Sequence, residues 1–217
     1  MTDGEWWDIP REWEGQTAFI LGGGASLRGF DFERLRGSRI IAINRMFRLC
    51  PFADVVYFCD KHWWTLDGEE VRRTFTGSHV ITIGRVDDPL VKRLRNMGAQ
   101  GLSTSASGVK HGTNSGYQSI NLAYLFGASR ICLLGFDMKV AEDGVTHAHG
   151  GYGTGAAEMA HVLGKRMLPF FDRLVEPLKI AGVDVINCNP DSALECWPKM
   201  PLEEAVLKFA TCAKSPS

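Results

Sequence analysis

No stretch of this 217-residue chain reaches the roughly 18 uninterrupted apolar residues that a membrane-spanning helix needs, and its start, MTDGEWWDIPREWEGQ, has no apolar core of the kind a secretory leader carries. A soluble, cytoplasmic protein with no membrane partner is the expectation. The chain also lacks an excess of either charge. Its 24 basic residues face 25 acidic ones, a net charge of -1, so no global field draws it to nucleic acid or an anionic surface. None of the six cysteines (Cys50, Cys59, Cys132, Cys188, Cys196, Cys212) forms a C-x-x-C pair. Buried free thiols in a reducing compartment are therefore expected, in place of a zinc or disulfide framework. There is no internal repeat, and no low-complexity segment beyond the tail KFATCAKSPS.

What the chain does have is 45% hydrophobic residues, enough at this length for one substantial core. Short runs rich in Ile, Val and Phe read as strands buried on both faces: TAFILGG, RIIAIN, ADVVYFCD, HVITIG, RICLLGFDM and VDVINC. Between them HWWTLDGEEVRRTF, PLVKRLRNMG, GYQSINLAYLFGA and AAEMAHVLGKRMLPFFDRLVEPLKIAG carry apolar residues at helical spacing, the last with Pro169 and Pro177 to kink or divide it. This alternation predicts a single α/β domain with a Rossmann-like, mostly parallel sheet and helices on both faces. Residues 1–16 are read as an N-terminal arm, 17–210 as the domain and 211–217 as a frayed tail. Trp6, Trp7 and Trp13 are expected to pack on the domain or to make an oligomer contact, which leaves a homo-oligomer open.

In such sheets ligands bind beyond the carboxyl ends of the strands, so the residues that follow each strand are the candidates. They are Gly22, Gly23, Gly24 and Ser26 after the first strand, Asn44 after the second, Asp60 after the third and Asp137 after the fifth. Thr113, Asn114, Ser115 and Gly116 precede the helix that feeds the fifth strand. Small residues at a helix start let an anion approach unpaired amides, and equally suit an ordinary N-cap. The glycine run has neither G-x-G-x-x-G nor G-K-[ST] spacing, so a phosphate turn and a plain strand-to-helix turn both stand. His62-Trp63-Trp64 after Asp60 reads either as a stacking platform or as core. His147 and His149 lie in a glycine-rich loop and have three readings: a solvated pair, a general base titrating near neutrality, or metal ligands with Asp137 and Asp143 nearby.

The segments FILGGGASLRGFDFERL, AINRMF, TNSGYQSINLAYLFGASRICLLGFDM and INCNPDSAL together resemble the small Rossmann-type bacterial sialyltransferases. They also resemble the related domain of archaeal-type 6-hydroxymethylpterin diphosphokinases and a family of uncharacterised tailed-phage proteins. The resemblance runs from about Thr17 to Leu207. It implies that Gly22, Gly23, Gly24, Ser26, Asn44, Asn114, Ser115 and Gly116 hold the cytidine monophosphate part of a donor. It also implies that a loop histidine deprotonates an acceptor hydroxyl. The family's base pattern resembles H-x-x-G-H, whereas here His147 is followed by Gly151 in place of the second histidine, and His149 is the substitute.

Three functional classes follow. The first is a glycosyltransferase with a nucleotide-sugar donor of the CMP-sugar kind and no cofactor, acting on a modified nucleobase or a glycan. The second is a pyrophosphoryl transferase, which would need Mg²⁺ on carboxylates such as Asp60 and Asp137. The third is a nucleotide-binding module without catalysis. If the chain is phage-encoded, the host cytoplasm is its expected location.

Overall fold

A computed structural model of the protein describes residues 6–145, 147–148 and 155–211. Seven strands form one all-parallel sheet: β1 (Thr17–Leu21), β2 (Arg39–Ile43), β3 (Val55–Phe58), β4 (His79–Thr82), β5 (Val91–Arg93), β8 (Arg130–Leu134) and β9 (Asp184–Asn187), with β6 (Arg95–Asn96) and β7 (Gly108–Val109) pairing separately. The order across the sheet is β5-β4-β3-β2-β1-β8-β9. β1 is thus flanked by β2 on one side and β8 on the other, with Ile20 opposite both Ile41 and Leu133. The chain reverses its direction of travel across the sheet at β1, and the carboxyl ends of β1 and β8 frame the switch point.

Alternation along each strand sends its side chains into two cores. Ile20, Ile41, Tyr57 and Leu133 face α2 (Ser115–Phe126) and α4 (Leu168–Ile180). Phe19, Leu21, Val56, Phe58 and Leu134 face α1 (Lys61–Thr74), α5 (Leu202–Phe209) and the 3-10 turns that follow β1 and β2. Because both faces are covered, the strands need no polar face, which accounts for the unbroken apolar runs. The N-terminal arm belongs to the first core: Trp13 is 1% exposed and its ring stacks on Phe126 at 4.2 Å. No helix among the described residues is long and apolar enough to cross a membrane.

Six of the seven sheet strands coincide with the predicted runs. The seventh does not: PLVKRLRNMG, expected as a helix, holds β5 and β6. Val91 and Leu94 are buried at a spacing that a helix would also give. Pairing of Val91 to Arg93 along the open edge of β4, and a left-handed Gly98 at φ 96° that ends the segment, favour the strand. The long predicted helix is divided at Val162–Met167, a π-helical stretch joining α3 (Ala156–His161) to α4. Pro169 explains the division, since it has no N–H to offer the Lys165 carbonyl and its ring crowds the preceding turn.

Candidate functional site

At the switch point a cavity of about 330 Å³ is lined by Gly22, Gly23, Gly24, Asn44, Thr113, Asn114, Ser115, Gly116, Asp137 and His147, ten of the residues singled out in the sequence. Five separate stretches of the chain therefore converge. The glycine turn is shaped by its neighbour across the switch point. A Cβ on Gly22 would lie 2.7 Å from the Gly135 carbonyl oxygen, and one on Gly24 would lie 2.5 Å from both that same oxygen and the Asp137 Cγ. These glycines let β1 and β8 close on each other at their ends, whatever occupies the cavity.

Asp137 is the clasp that holds this arrangement. It is 7% exposed, and its carboxylate accepts hydrogen bonds from the Ser26 amide at 2.8 Å, the Ser26 hydroxyl and Asn189 Nδ2 at 2.8 Å. Ser26 thus serves the cavity through Asp137 and does not line it. Asp60 also lies outside the lining. It caps α1, accepting from the His62 amide at 2.8 Å. Both carboxylates suggested for Mg²⁺ are accordingly bonded elsewhere, and Asp143 pairs with Arg28 at 2.6 Å. Among the described residues no group of three or more His, Cys, Asp or Glu side chains could hold a metal ion.

The start of α2 forms the polar wall. Asn114 is the N-cap: its Oδ1 accepts from the Tyr117 amide at 2.8 Å while its Nδ2 donates to the Gly112 carbonyl at 2.9 Å. The Gln118 amide bonds the Asn114 carbonyl, so the amides of Ser115 and Gly116 keep no acceptor among the described residues. Ser115 Oγ donates to Cys59 Sγ at 3.3 Å, and Cys59 itself lines the cavity. Thr113 Oγ1 reaches across to the Arg166 carbonyl at 2.8 Å, tying the start of α2 to the π-helical stretch.

Backbone strain concentrates here. Among the described residues three non-glycines have left-handed φ, Asn44 at 51°, Thr113 at 64° and Met138 at 51°, and all three line this cavity. Such conformations persist where the surrounding structure enforces them, and they cluster at ligand sites.

His147 lies on the cavity wall, and burial lowers its imidazole below the ordinary value, which favours the neutral, proton-accepting form. The loop carrying it docks on the glycine turn through the Ala148 amide, 2.8 Å from the Gly23 carbonyl oxygen. His149 lies outside the described residues.

Several lining residues carried no sequence signal. Met159, Val162, Leu163 and Met167 come from α3 and the π-helical stretch, half-buried, and make one wall apolar together with Phe136 and Phe171. Lys139, two residues beyond Asp137, lines the cavity as well. His62-Trp63-Trp64 resolves as packing. Trp63 is 6% exposed beside Phe47 and Phe58, and Trp64 stacks on Phe58 at 5.3 Å.

No protein-family model matches the chain, and no curated protein matches it in sequence. Solved structures of the sialyltransferase CstII from Campylobacter jejuni do match in fold. The complex with cytidine monophosphate aligns with TM-score 0.52 at 12% identity, over 86% of this chain and 85% of that one. The complex with the substrate analogue CMP-3FNeuAc aligns with TM-score 0.50 at 13% identity, over 93% and 89%. The likeness is one of fold. It spans nearly the whole of both chains, and the cavity described above sits where open α/β sheets bind their ligands.

Proposed function

We propose that the chain is a transferase that binds an activated nucleotide donor in the switch-point cavity and passes its sugar to an acceptor hydroxyl. The observation that carries this reading is the convergence of the Gly22–Gly24 turn, Asn44 and the unpaired Ser115 and Gly116 amides in one cavity. Unpaired amides at a helix start stabilise a phosphate, and close-packed glycine backbone gives it room. The fold likeness to a sialyltransferase solved with cytidine monophosphate supports a donor of the CMP-sugar kind.

His147 takes the acceptor proton in this scheme, and burial, which lowers its proton affinity, favours the proton-accepting form. The acceptor oxygen bonds to the sugar carbon as the sugar–phosphate bond breaks, and the nucleotide leaves with the electron pair. Neither Asp60 nor Asp137 takes part, the first capping α1 and the second bracing the glycine turn.

The test is a melting-shift panel of nucleoside mono-, di- and triphosphates. A ligand at 100 times its dissociation constant adds about 2.7 kcal/mol, so a cytidine nucleotide should raise the melting point clearly. Gly23→Val, which puts a branched side chain into the cavity wall, should abolish the shift and leave a folded protein. His147→Gln should keep the shift and lower turnover by roughly 10²- to 10⁴-fold. A Gly23→Val protein with the full shift would overturn the assignment of the cavity.

A further inference from the structure

We infer that Lys139 is the cation that neutralises the leaving phosphate; this deepens the nucleotide reading above and rests on it. The chemistry creates the need. In a CMP-sugar donor the phosphodiester carries one negative charge. When the sugar–phosphate bond breaks, its electron pair stays on phosphate oxygen, the acceptor proton goes to His147, and the nucleotide leaves as a dianion. A group that meets the second charge as it develops lowers the barrier, because it binds the transition state more tightly than the donor.

The described residues that line the cavity offer few candidates. Burial favours the neutral form of His147. The unpaired Ser115 and Gly116 amides contribute a partial positive charge from the start of α2. Among the described residues Lys139 is the lysine in the lining, and none of them in the lining is an arginine. Three arginines that follow the glycine turn and Asn44 in the chain are committed elsewhere: Arg28 to Asp143 at 2.6 Å, and Arg45 and Arg48 to Asp67 at 2.9 and 2.8 Å. Lys139 has no ion pair among the described residues, although it stands two positions from the Asp137 carboxylate, whose oxygens are taken by Ser26 and Asn189. Its backbone placement is specific. Met138 immediately before it adopts φ 51°, a left-handed turn that a β-strand exit does not require and that brings the chain round at the cavity wall. A lysine there acts as an adjustable point charge on a flexible stem, suited to a phosphate whose charge changes during the reaction.

The experiment compares the affinities of CMP and cytidine for the wild type, Lys139→Ala and Lys139→Arg by calorimetry at two ionic strengths. Lys139→Ala should weaken CMP about tenfold, flatten its salt dependence and leave cytidine unchanged, with Lys139→Arg recovering most of the loss. Equal losses for CMP and cytidine, or no loss for CMP, would overturn the assignment. If the wild type binds neither compound, the nucleotide reading itself fails. Inorganic phosphate then serves as the probe: weaker phosphate binding by Lys139→Ala sustains the anion site, and unchanged or absent phosphate binding overturns it.

Discussion

Asn114 shows how one side chain can satisfy two readings of the same short loop. Its oxygen accepts the Tyr117 amide and its nitrogen donates to the Gly112 carbonyl, so both ends are spent within the chain. Its contribution to a ligand then runs through the amides it holds in place. Asn114→Ala should cost about 0.5–2 kcal/mol of unfolding free energy in urea, the usual worth of a cap, while the nucleotide-induced melting shift stays close to wild type. An unchanged apo stability with a lost shift would instead make Asn114 a direct ligand contact. Asp137 is a parallel case, a residue on the ligand edge whose carboxylate is used to hold the Ser26 turn against the loop after β9.

The 3-10 turn Asn44–Arg48 reaches the cavity only because α1 holds it there. Asp67 in α1 is 1% exposed and receives Arg45 Nε at 2.9 Å and Arg48 Nη2 at 2.8 Å. Two guanidiniums on one buried carboxylate fix the turn directly behind the left-handed Asn44. Removing the carboxylate leaves two partly buried guanidiniums without their shared counter-ion. Asp67→Ala should therefore cost about 3 kcal/mol, at the low end for a broken buried pair because Arg45 and Arg48 retain 19% and 34% exposure. Chemical denaturation measures that loss, and a weakened nucleotide shift should accompany it as Asn44 is released. A loss below about 1 kcal/mol would mean the pair behaves as a surface salt bridge.

Across the whole molecule, two half-buried cysteines report on different places. Cys59 lines the switch-point cavity, while Cys196 lines a separate groove beside the edge strand β9 with Trp197 and Phe209. Burial raises both thiols, Cys196 to about 12, so both should react slowly with a maleimide at neutral pH. Saturating nucleotide should slow labelling of Cys59 several-fold and leave Cys196 unchanged, as read by peptide mass spectrometry. Equal protection at both would point to general tightening of the fold, and no protection at Cys59 would move the nucleotide out of this cavity.

The strand runs and the positions just after them were legible because period and burial are local properties: a both-faces-buried strand must be continuously apolar, and the sheet's ligand edge must then hold Gly22–Gly24, Asn44 and Asp137. Local pattern ceased to decide wherever a neighbour supplied the missing half of an interaction. PLVKRLRNMG fits a helix in isolation, yet the unpaired edge of β4 makes it a strand. Asp60 and Asp137 are both carboxylates after a strand; one turns to its own helix and the other to Ser26 and Asn189. Met159, Val162, Leu163 and Met167 join the cavity only because the Pro169 break and the Thr113–Arg166 bond swing their segment over it. Sequence alone thus determined six strands of the sheet, its layers and the edge where the candidate residues gather, since these follow from backbone pairing and hydrophobic alternation. Tertiary structure decided which polar groups on that edge remain free for a ligand, because a hydrogen bond's partner is chosen by distance in space and not by separation along the chain.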